Sequence, residues 1–453
     1  MGAGKMKYQE QIHNYVQSHK EEILNDLKTI AKIPSVVSER DGEFPYGKNC
    51  HLVLECVKKL YEREGAKSQI DKEGGYMLST FGNGKKSLGL FAHADVVPAY
   101  DDWTVTNPFE PIEKDGFLFG RGVSDDKCAV ITSIYCIKAI KELGIPFDSS
   151  LVCFTGSCEE TGMEDIDNYA KKNTAPDFSL VLDSGFPLFR GDKGIFRYTA
   201  TSNTPMETVS DFCGGTAFNI ILGEASCTVN GKKYVGKGIS QHGAHPQGSL
   251  NAGYVLANKL LTLDDVSEND KKQLKLISAI LEKYYGEIYG IQNKDPDFGD
   301  LTVTTGIISQ KNGKITLSFD LRHGMDAKIE WIKSHLKDFF DKNNWTLEYY
   351  DEAAPFANPI DSPYVQACIN TYIDFTGDKN AKPGISAGGT YARHIPNASE
   401  IGTSLDYDFS KLNLQEGHGS CHQPDECISI KGYLDAVELT IQMVLAMDDV
   451  NKR

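Results

Sequence analysis

Apolar residues in the first part of the chain follow two alternating spacings. In residues 8–30 and 128–143, apolar residues recur every three or four positions, as on one face of a helix. The second stretch stops at Gly144, a typical helix end. Near-continuous apolar runs predict strands covered on both faces at residues 87–97, 151–155 and 178–182. Strand–helix alternation of this kind predicts an α/β domain with a doubly wound, mostly parallel sheet.

The pattern changes after residue 187. Residues 188–358 carry shorter strand signals, at 217–229, 301–308 and 314–321, together with two or three helices. The alternation of strand and helix patterns returns from residue 359, with helices predicted at 363–376 and 430–447. We therefore expect one domain in two pieces, 1–187 and 359–453, interrupted by an inserted α+β domain at 188–358.

Composition and charge narrow the class of protein. The chain has 453 residues, 40% hydrophobic and 24% charged, which is enough for a sizeable core. Its formal net charge of -16 argues against nucleic acid or an anionic membrane as partner. No apolar run approaches the roughly 20 residues of a membrane span, and the N-terminus lacks the apolar core of a signal peptide. The 11 cysteines include no Cys-x-x-Cys pair, which favours reduced thiols and a cytoplasmic location.

Acidic and imidazole side chains cluster where the predicted strands end. His93 and Asp95, the pair Glu159-Glu160, and Asp183 each lie at or just past such an end. Ligands of an open α/β sheet bind at this edge. Asp125-Asp126 follows a glycine-rich turn, and a distant glycine-rich loop carries His422, with His418 as a competing candidate. Carboxylates and imidazoles in this number indicate a site for two divalent ions about 3.5–4 Å apart, a centre that activates water.

Each cluster also has a simpler explanation. Asp125-Asp126 at a helix start could be an N-cap, and Glu159-Glu160 could belong to a solvated acidic loop with Glu164, Asp165 and Asp167. His93 could be an ordinary residue at a strand end, and Asp183 could cap the next turn. The occurrence of all the clusters at equivalent positions of one fold favours the metal site.

Together, these motifs resemble the ordered signature of a di-zinc metallopeptidase family. It includes aminoacylases, carboxypeptidase G, desuccinylases and carnosinase-like dipeptidases. The resemblance spans about residues 10–447, and the large insert and residues 388–393 make it strongest to the bacterial PepV-type dipeptidases. It implies a zinc-exopeptidase-like catalytic domain with an inserted lid domain. It also implies two Zn²⁺ per chain, replaceable by Mn²⁺ or Co²⁺, with these ligands: His93 and Asp183 for the first ion, Glu160 and His422 for the second, and Asp125 bridging them.

The resemblance also implies roles around the metal ions. Asp95 orients His93, and Glu159 is the general base that takes a proton from the bridging water. A cis peptide bond is expected between Asp125 and Asp126. In the lid domain, His242 and Asn219 are expected to stabilise the oxyanion, with His245 as a competing candidate for the histidine.

Substrate contacts follow in the same way. The resemblance implies that Arg322 and the backbone of Gly388, Gly389 and Thr390 hold the substrate carboxylate, whereas a surface salt bridge is the simpler explanation for Arg322. The expected function is a dipeptidase that acts on small peptides, as a monomer because of the large insert. An N-acyl-amino-acid deacylase or desuccinylase is the alternative, and a catalytically silent metal-binding protein is a third. Cys158 and Cys421 could bond under oxidation if they lie close together; buried packing is the other interpretation.

Overall fold

The computed structural model describes residues 8–100 and 102–452, which divide into two compact units. The core unit comprises the described residues up to Gly191 and from Ala357 onward, and the insert unit comprises Asp192–Phe356. The helices are, in chain order, α1 (Gln9–Ser18), α2 (Lys20–Ala31), α3 (Lys48–Arg63), α4 (Lys127–Glu142), α5 (Glu164–Lys172), α6 (Ala252–Leu261), α7 (Glu268–Glu282), α8 (Ile329–Lys342), α9 (Pro363–Thr376) and α10 (Ile430–Asn451). Short 3-10 helices occupy Glu287–Tyr289, Tyr391–His394 and Ser410–Leu412.

The strands are, in chain order, β1 (Lys67–Asp71), β2 (Tyr76–Gly82), β3 (Ser87–His93), β4 (Ile112–Lys114), β5 (Phe117–Phe119), β6 (Ser150–Gly156), β7 (Phe178–Ser184), β8 (Phe189–Asp192), β9 (Gly194–Ser202), β10 (Val209–Cys213), β11 (Glu224–Val229), β12 (Lys232–Lys237), β13 (Lys294–Asp295), β14 (Gly299–Asp300), β15 (Thr302–Lys311), β16 (Lys314–His323), β17 (Trp345–Ala353), β18 (Phe356–Ala357), β19 (Gly384–Ser386), β20 (Ala398–Gly402) and β21 (Cys427–Ser429).

The core unit is built on a sheet whose four central strands are parallel, in the order β6, β3, β7 and β20. Strands β2 and β1 extend it antiparallel beside β6, and β8 joins antiparallel beside β20. The doubly wound, mostly parallel sheet predicted from the apolar runs is thereby confirmed. A separate antiparallel sheet links β21, β5 and β4.

Side chains of the central strands alternate between two covered faces, as the period of a strand requires. Leu88 and Leu90 belong to the large apolar cluster that includes the buried residues of α4 and α10. Phe91 and Phe154 point to the other face, where their rings lie 5.6 and 5.3 Å from the ring of Tyr169 on α5. Helices therefore cover both faces, which leaves the ends of the strands for the site.

The insert unit has its own apolar core. Strands β15, β16, β9 and β17 form an antiparallel sheet in that order, and β10, β11 and β12 form a second one. The rings of Tyr198 and Phe319 stack at 4.6 Å on the first sheet, and Phe340 of α8 packs edge-on against Phe319 at 5.9 Å. This is the expected α+β composition.

Three sequence-based elements need correction. Residues 8–30 form two helices rather than one, because the Ser18 hydroxyl and a ring nitrogen of His19 both contact the Tyr15 carbonyl, at 2.8 Å, where the first helix ends. The strand predicted at 87–97 ends at His93, and of 217–229 only residues 224–229 are extended. Within residues 8–100 and 102–452, no helix is long and apolar enough to cross a membrane.

Candidate metal centre

Three neighbouring parallel strands bring the polar clusters to one edge of the sheet. The register pairs His93, the last residue of β3, with Gly156, the last residue of β6. The turn after β6 carries Glu159 and Glu160, and Asp183 lies near the end of β7 on the other side of β3. Residues far apart in the chain therefore come together because the parallel strands that carry them end side by side.

Asp125 lies between two imidazole rings. Its Oδ1 is 3.0 Å from Nε2 of His93, and its Oδ2 is 3.0 Å from Nε2 of His422. Each oxygen of one carboxylate thus faces a different nitrogen. This is the arrangement that a carboxylate bridging two cations requires.

The remaining predicted ligands stand beside these two imidazoles. Glu160 lies 3.0 Å from Nε2 of His422, and Oδ2 of Asp183 lies 3.8 Å from Nε2 of His93. The structure therefore brings all five predicted ligands together. His418, the competing candidate, instead has its Nδ1 2.8 Å from the carboxylate of Asp425.

Asp126 does not act as the helix N-cap that the sequence allowed. It occupies the residue before α4 but forms no side-chain capping bond to that helix. Its Oδ2 accepts a hydrogen bond of 3.2 Å from the backbone N–H of His93. The peptide bond between Asp125 and Asp126 is cis, as expected. Two groups of three residues have possible metal-ligand atoms within 4.8 Å of one another. One group is His93, Asp125 and Glu160, and the other is His93, Asp126 and Asp183.

The cluster carries more negative charge than its imidazoles can balance. Burial, followed by repulsion from Asp183, raises the pKa of Glu159, and burial followed by repulsion from Asp125 raises the pKa of Asp183. Burial also opposes the ionisation of Asp125, but hydrogen bonds from His422 and His93 outweigh it and lower its pKa. The same contacts, with Asp125 and then Glu160, raise the pKa of His422 to about 11. Divalent cations would relieve this imbalance, and the imidazole and carboxylate donors are those that catalytic Zn²⁺ sites use.

Asp95 fixes two parts of the centre at once. Its carbonyl oxygen lies 3.1 Å from Nδ1 of His93 and its Oδ1 lies 3.5 Å away, which leaves Nε2 of His93 to face Asp125. Its two carboxylate oxygens accept hydrogen bonds of 3.1 Å from the backbone N–H groups of Glu159 and Glu160. The sequence predicted a contact between the Asp95 carboxylate and His93, whereas the nearer oxygen is that of the Asp95 backbone carbonyl. It did not indicate the bonds to Glu159 and Glu160.

Asp165 is a supporting residue that the sequence did not indicate. Rather than lying in a solvated acidic loop, it is fully buried. Its Oδ2 accepts hydrogen bonds from the N–H groups of Ser157 (2.7 Å) and Cys158 (2.9 Å) and from the Tyr391 hydroxyl (2.6 Å). Burial raises its pKa to about 7. Asp165 thereby holds the turn that leads into Glu159, and no pattern in the sequence separates it from the exposed Glu164.

A cleft of 410 Å³ in the core unit gives access to the cluster. Besides the acidic residues and His422, its lining includes the predicted substrate-binding residues Gly388, Gly389 and Thr390. The Thr390 hydroxyl donates a hydrogen bond of 2.6 Å to the buried Glu400, which holds this segment against β20. Cys421 also lines the cleft, whereas Cys158 packs in a small cluster with Cys50 and Tyr46.

The insert unit brings two further predicted residues together. Nδ2 of Asn219 lies 3.4 Å from Nε2 of His242. The backbone N–H of Ala244 donates to Nδ1 of His242, which assigns the ring proton of the neutral imidazole to Nε2. Burial, followed by the positive charge of Arg322, lowers the pKa of His242 and keeps it neutral. Two hydrogen-bond donors thus stand side by side.

Arg322 is buried rather than part of a surface salt bridge. It is 2% exposed, and two of its guanidinium nitrogens donate to the two carboxylate oxygens of Asp320, at 2.5 and 3.0 Å. Asp320 also accepts a hydrogen bond from Arg197. The guanidinium group of Arg322 is therefore held in a fixed plane on β16.

Comparisons with known proteins agree with this architecture. Residues 89–446 match the model of peptidase family M20/M25/M40. A Staphylococcus saprophyticus protein named "Putative dipeptidase SSP1012" is 25% identical over 474 residues, which cover 94% of this chain and 97% of the relative. A Staphylococcus epidermidis protein named "Putative dipeptidase" is also 25% identical, covering 95% and 98%.

Solved structures show the same fold. Human carnosine dipeptidase 1 aligns with a TM-score of 0.60 at 15% identity, over 98% of this chain and 100% of that one. The di-peptidase Dug1p from Saccharomyces cerevisiae aligns with a TM-score of 0.59 at 14% identity, over 97% and 98%. The resemblance drawn from the motifs is confirmed, since the family match covers most of the chain. The chain belongs to peptidase family M20/M25/M40 and is a metallopeptidase, a hydrolase of peptide substrates that depends on divalent metal ions.

Proposed function

We propose that the protein is a dipeptidase that hydrolyses dipeptides or short peptides at a centre of two zinc ions. The observation that carries the proposal is the position of Asp125, whose two carboxylate oxygens each lie 3.0 Å from a different imidazole nitrogen. The similarity to relatives that are named as dipeptidases supports the substrate class.

The other proposed ligands are assigned to an ion according to the imidazole that each lies beside. We assign His93 and Asp183 to one ion and Glu160 and His422 to the other, with Asp125 shared. When bound, the ions polarise the substrate carbonyl and make water more acidic. Mn²⁺ or Co²⁺ could take the same positions, because imidazole and carboxylate ligands also suit these metals.

Glu159 is the proposed general base. Its side chain lines the cleft beside the ligand Glu160, and Asp95 holds its backbone N–H. Glu159 takes a proton from the attacking water as the water oxygen bonds to the carbonyl carbon. It then gives this proton to the leaving amine nitrogen as the carbon–nitrogen bond breaks.

In this proposal, the lid domain predicted at residues 188–358, which contains the insert unit Asp192–Phe356, supplies binding groups. His242 and Asn219 donate hydrogen bonds to the oxyanion of the tetrahedral intermediate, a role that the 3.4 Å spacing of their nitrogens supports. Arg322 binds the substrate carboxylate, for which a planar guanidinium held by Asp320 is suited. The backbone of Gly388, Gly389 and Thr390 contributes to the same carboxylate site.

Metal analysis combined with a substrate panel tests the proposal. We expect two zinc ions per chain, release of free amino acids from dipeptides, loss of this activity with a chelator, and recovery with Zn²⁺. Hydrolysis of N-acetyl or N-succinyl amino acids in place of dipeptides would indicate the deacylase alternative. Metal binding with no hydrolysis of either class would indicate a silent metal-binding protein.

Two further expectations stay predictions. A monomer is expected, which light scattering of the metal-loaded protein tests. A cytoplasmic location is expected, which fractionation of the source cells tests.

A further inference from the structure

Two adjacent acids, Asp425 and Glu426, connect the loop that carries His422 to segments around Asp125. Both are fully buried, although carboxylates are rarely found in protein interiors without partners. Neither belongs to the ligand set or lines the cleft. Their contacts therefore need a different explanation.

Every described contact of the Glu426 carboxylate is with a hydrogen-bond donor. Oε1 accepts from the backbone N–H groups of Gly122 (3.0 Å), Ser124 (3.0 Å) and Asp125 (3.2 Å). Oε2 accepts from Nη1 of Arg121 at 2.6 Å. An ionised carboxylate is the acceptor that such a set of donors requires. One side chain thus holds the whole turn whose last residue is Asp125.

Asp425 holds a second segment in the same way. Oδ1 accepts from the backbone N–H groups of Thr104 and Val105, both at 2.8 Å, and Oδ2 accepts from the Thr104 hydroxyl at 2.6 Å and from His418 at 2.8 Å. The guanidinium carbon of Arg121 lies 5.3 Å from the centre of the Trp103 ring, which joins the two bonded segments.

We propose that Glu426 is a positioning residue that sets the separation of Asp125 and His422. Its side chain fixes the backbone of Asp125, and its own backbone follows His422 in the same loop; its carbonyl accepts a further bond of 2.9 Å from the N–H of Gly120. The separation of a bridging carboxylate and a terminal imidazole decides how well both reach one cation. Glu426 thereby raises the affinity of the centre for metal ions without touching them. The inference rests on the proposed function, because it requires Asp125 and His422 to share an ion.

The substitution Glu426→Gln tests the proposal. An amide cannot accept from all four donors, since its NH₂ group must face either Arg121 or a backbone N–H. We expect the affinity for Zn²⁺, measured by chelator competition, to fall by about 10–100-fold, as for other residues that orient metal ligands. The visible absorption of the Co²⁺-loaded protein is expected to shift, because this absorption reports the ligand geometry directly. Glu426→Asp, which keeps the charge, is expected to restore part of the affinity.

Asp448→Asn is the matched control. Asp448 is also fully buried, and its Oδ1 accepts from the N–H groups of Asp148 and Ser149 and from the Ser149 hydroxyl. Asp448 lies on α10, and its partners directly precede β6, at the amino ends of the parallel strands, whereas the metal centre is at their carboxyl ends. We expect both substitutions to lower the melting temperature, and only Glu426→Gln to change the zinc affinity and the cobalt spectrum.

The outcomes separate this inference from the proposed function. Wild-type protein that binds no pair of ions would overturn both. The role of Glu426 alone would be overturned by a different result. In that case wild-type protein binds two ions, but Glu426→Gln has the same zinc affinity and cobalt spectrum as Asp448→Asn. If Glu426→Gln does not fold, Glu426→Asp is compared with the same control and the same criterion applies.

Discussion

Oδ1 of Asp95 accepts a hydrogen bond of 3.1 Å from the backbone N–H of Glu159. The other oxygen does the same for Glu160, and the carbonyl of Asp95 faces the ring of His93. One buried side chain therefore holds the proposed base and one proposed ligand, while its backbone orients a second. Asp95 therefore fixes the positions of Glu159, Glu160 and His93 relative to one another.

Replacing Asp95 should disturb this geometry. In Asp95→Asn, the NH₂ group faces one of the two N–H donors, so either Glu159 or Glu160 loses its anchor. We expect a loss of about 10–100-fold in zinc affinity or in kcat/KM. Asp71→Asn is the control, since Asp71 also accepts a backbone N–H, from Gly74, but lies on β1. Equal values for the two variants would contradict the role of Asp95.

Replacing the proposed base should separate catalysis from metal binding. Glu159→Gln keeps the shape of the side chain but cannot take a proton from water. We expect kcat to fall by about 10²–10⁴-fold, with zinc content and KM close to wild type. The exposed Glu164 gives the control Glu164→Gln, for which no change is expected. A variant at Glu159 that keeps its turnover would refute the assignment.

The donor pair of the insert unit is open to a similar test. Asn219→Ala removes one of the two nitrogens that stand 3.4 Å apart. We expect kcat to fall by about 10²–10³-fold, the cost of losing one oxyanion donor, with little change in melting temperature. Asn258→Ala, on α6 of the same unit, is the control. If both variants are equally active, Asn219 does not contact the transition state.

Metal removal should lower stability as well as activity. Without cations, the clustered carboxylates repel one another, and this repulsion adds to burial in raising the pKa values of Glu159 and Asp183. Zinc at 100 times its Kd should stabilise the folded protein by about 2.7 kcal/mol per site. Calorimetry with and without chelator measures the effect, and Asp125→Asn should respond much less. A melting temperature independent of zinc would count against the centre.

Asp295, in the insert unit, gives a pH dependence of stability that does not involve the proposed metal ligands. Burial opposes its ionisation, but the backbone N–H groups of Phe298, Asp297 and Asp326 outweigh burial and lower its pKa. A lowered folded-state pKa contributes stability that is complete above the unfolded value of about 3.9 and is lost as the pH falls through the folded value.

The variant Asp295→Asn should therefore unfold more easily at pH 7, by about 1–3 kcal/mol for the donors left without an acceptor. The difference from wild type should shrink as the pH falls below about 4, because the wild-type protein then progressively loses the stability that its ionised carboxylate contributes. Urea unfolding at both pH values measures it, with the exposed Asp264→Asn as control. A difference that stays constant with pH would show that the carboxylate charge is irrelevant.

The candidate metal centre could be predicted from the sequence because three of its proposed ligands, His93, Glu160 and Asp183, lie at or just past the ends of strands. Apolar runs identify β3 and β7, and parallel pairing then brings His93 and Asp183 to the same edge. His422 lies outside this logic, because no periodicity marks a loop ligand. The family resemblance, not periodicity, favoured His422 over His418, and the structure places His422 beside Asp125 and His418 beside Asp425.

The buried polar contacts and the break between α1 and α2 could not be predicted from the sequence, for a physical reason. A carboxylate looks the same in a sequence whether it accepts hydrogen bonds from water or from distant backbone groups, so Asp165 and Glu426 gave no signal. The break between α1 and α2 was equally hidden, because the apolar spacing continues in phase across His19. These features depend on partners that only the folded chain brings near.

Strand β20 pairs with β7, yet the whole insert unit separates the two in the chain. A ribosome that synthesises this protein therefore releases β7 long before its neighbour exists, and it releases His422 later still. The insert unit, which has its own apolar core, can fold during this interval. Products that terminate before residue 422 would carry His93 and Asp125 without the second imidazole of the proposed centre, so translation would delay hydrolytic competence until His422 has been synthesised.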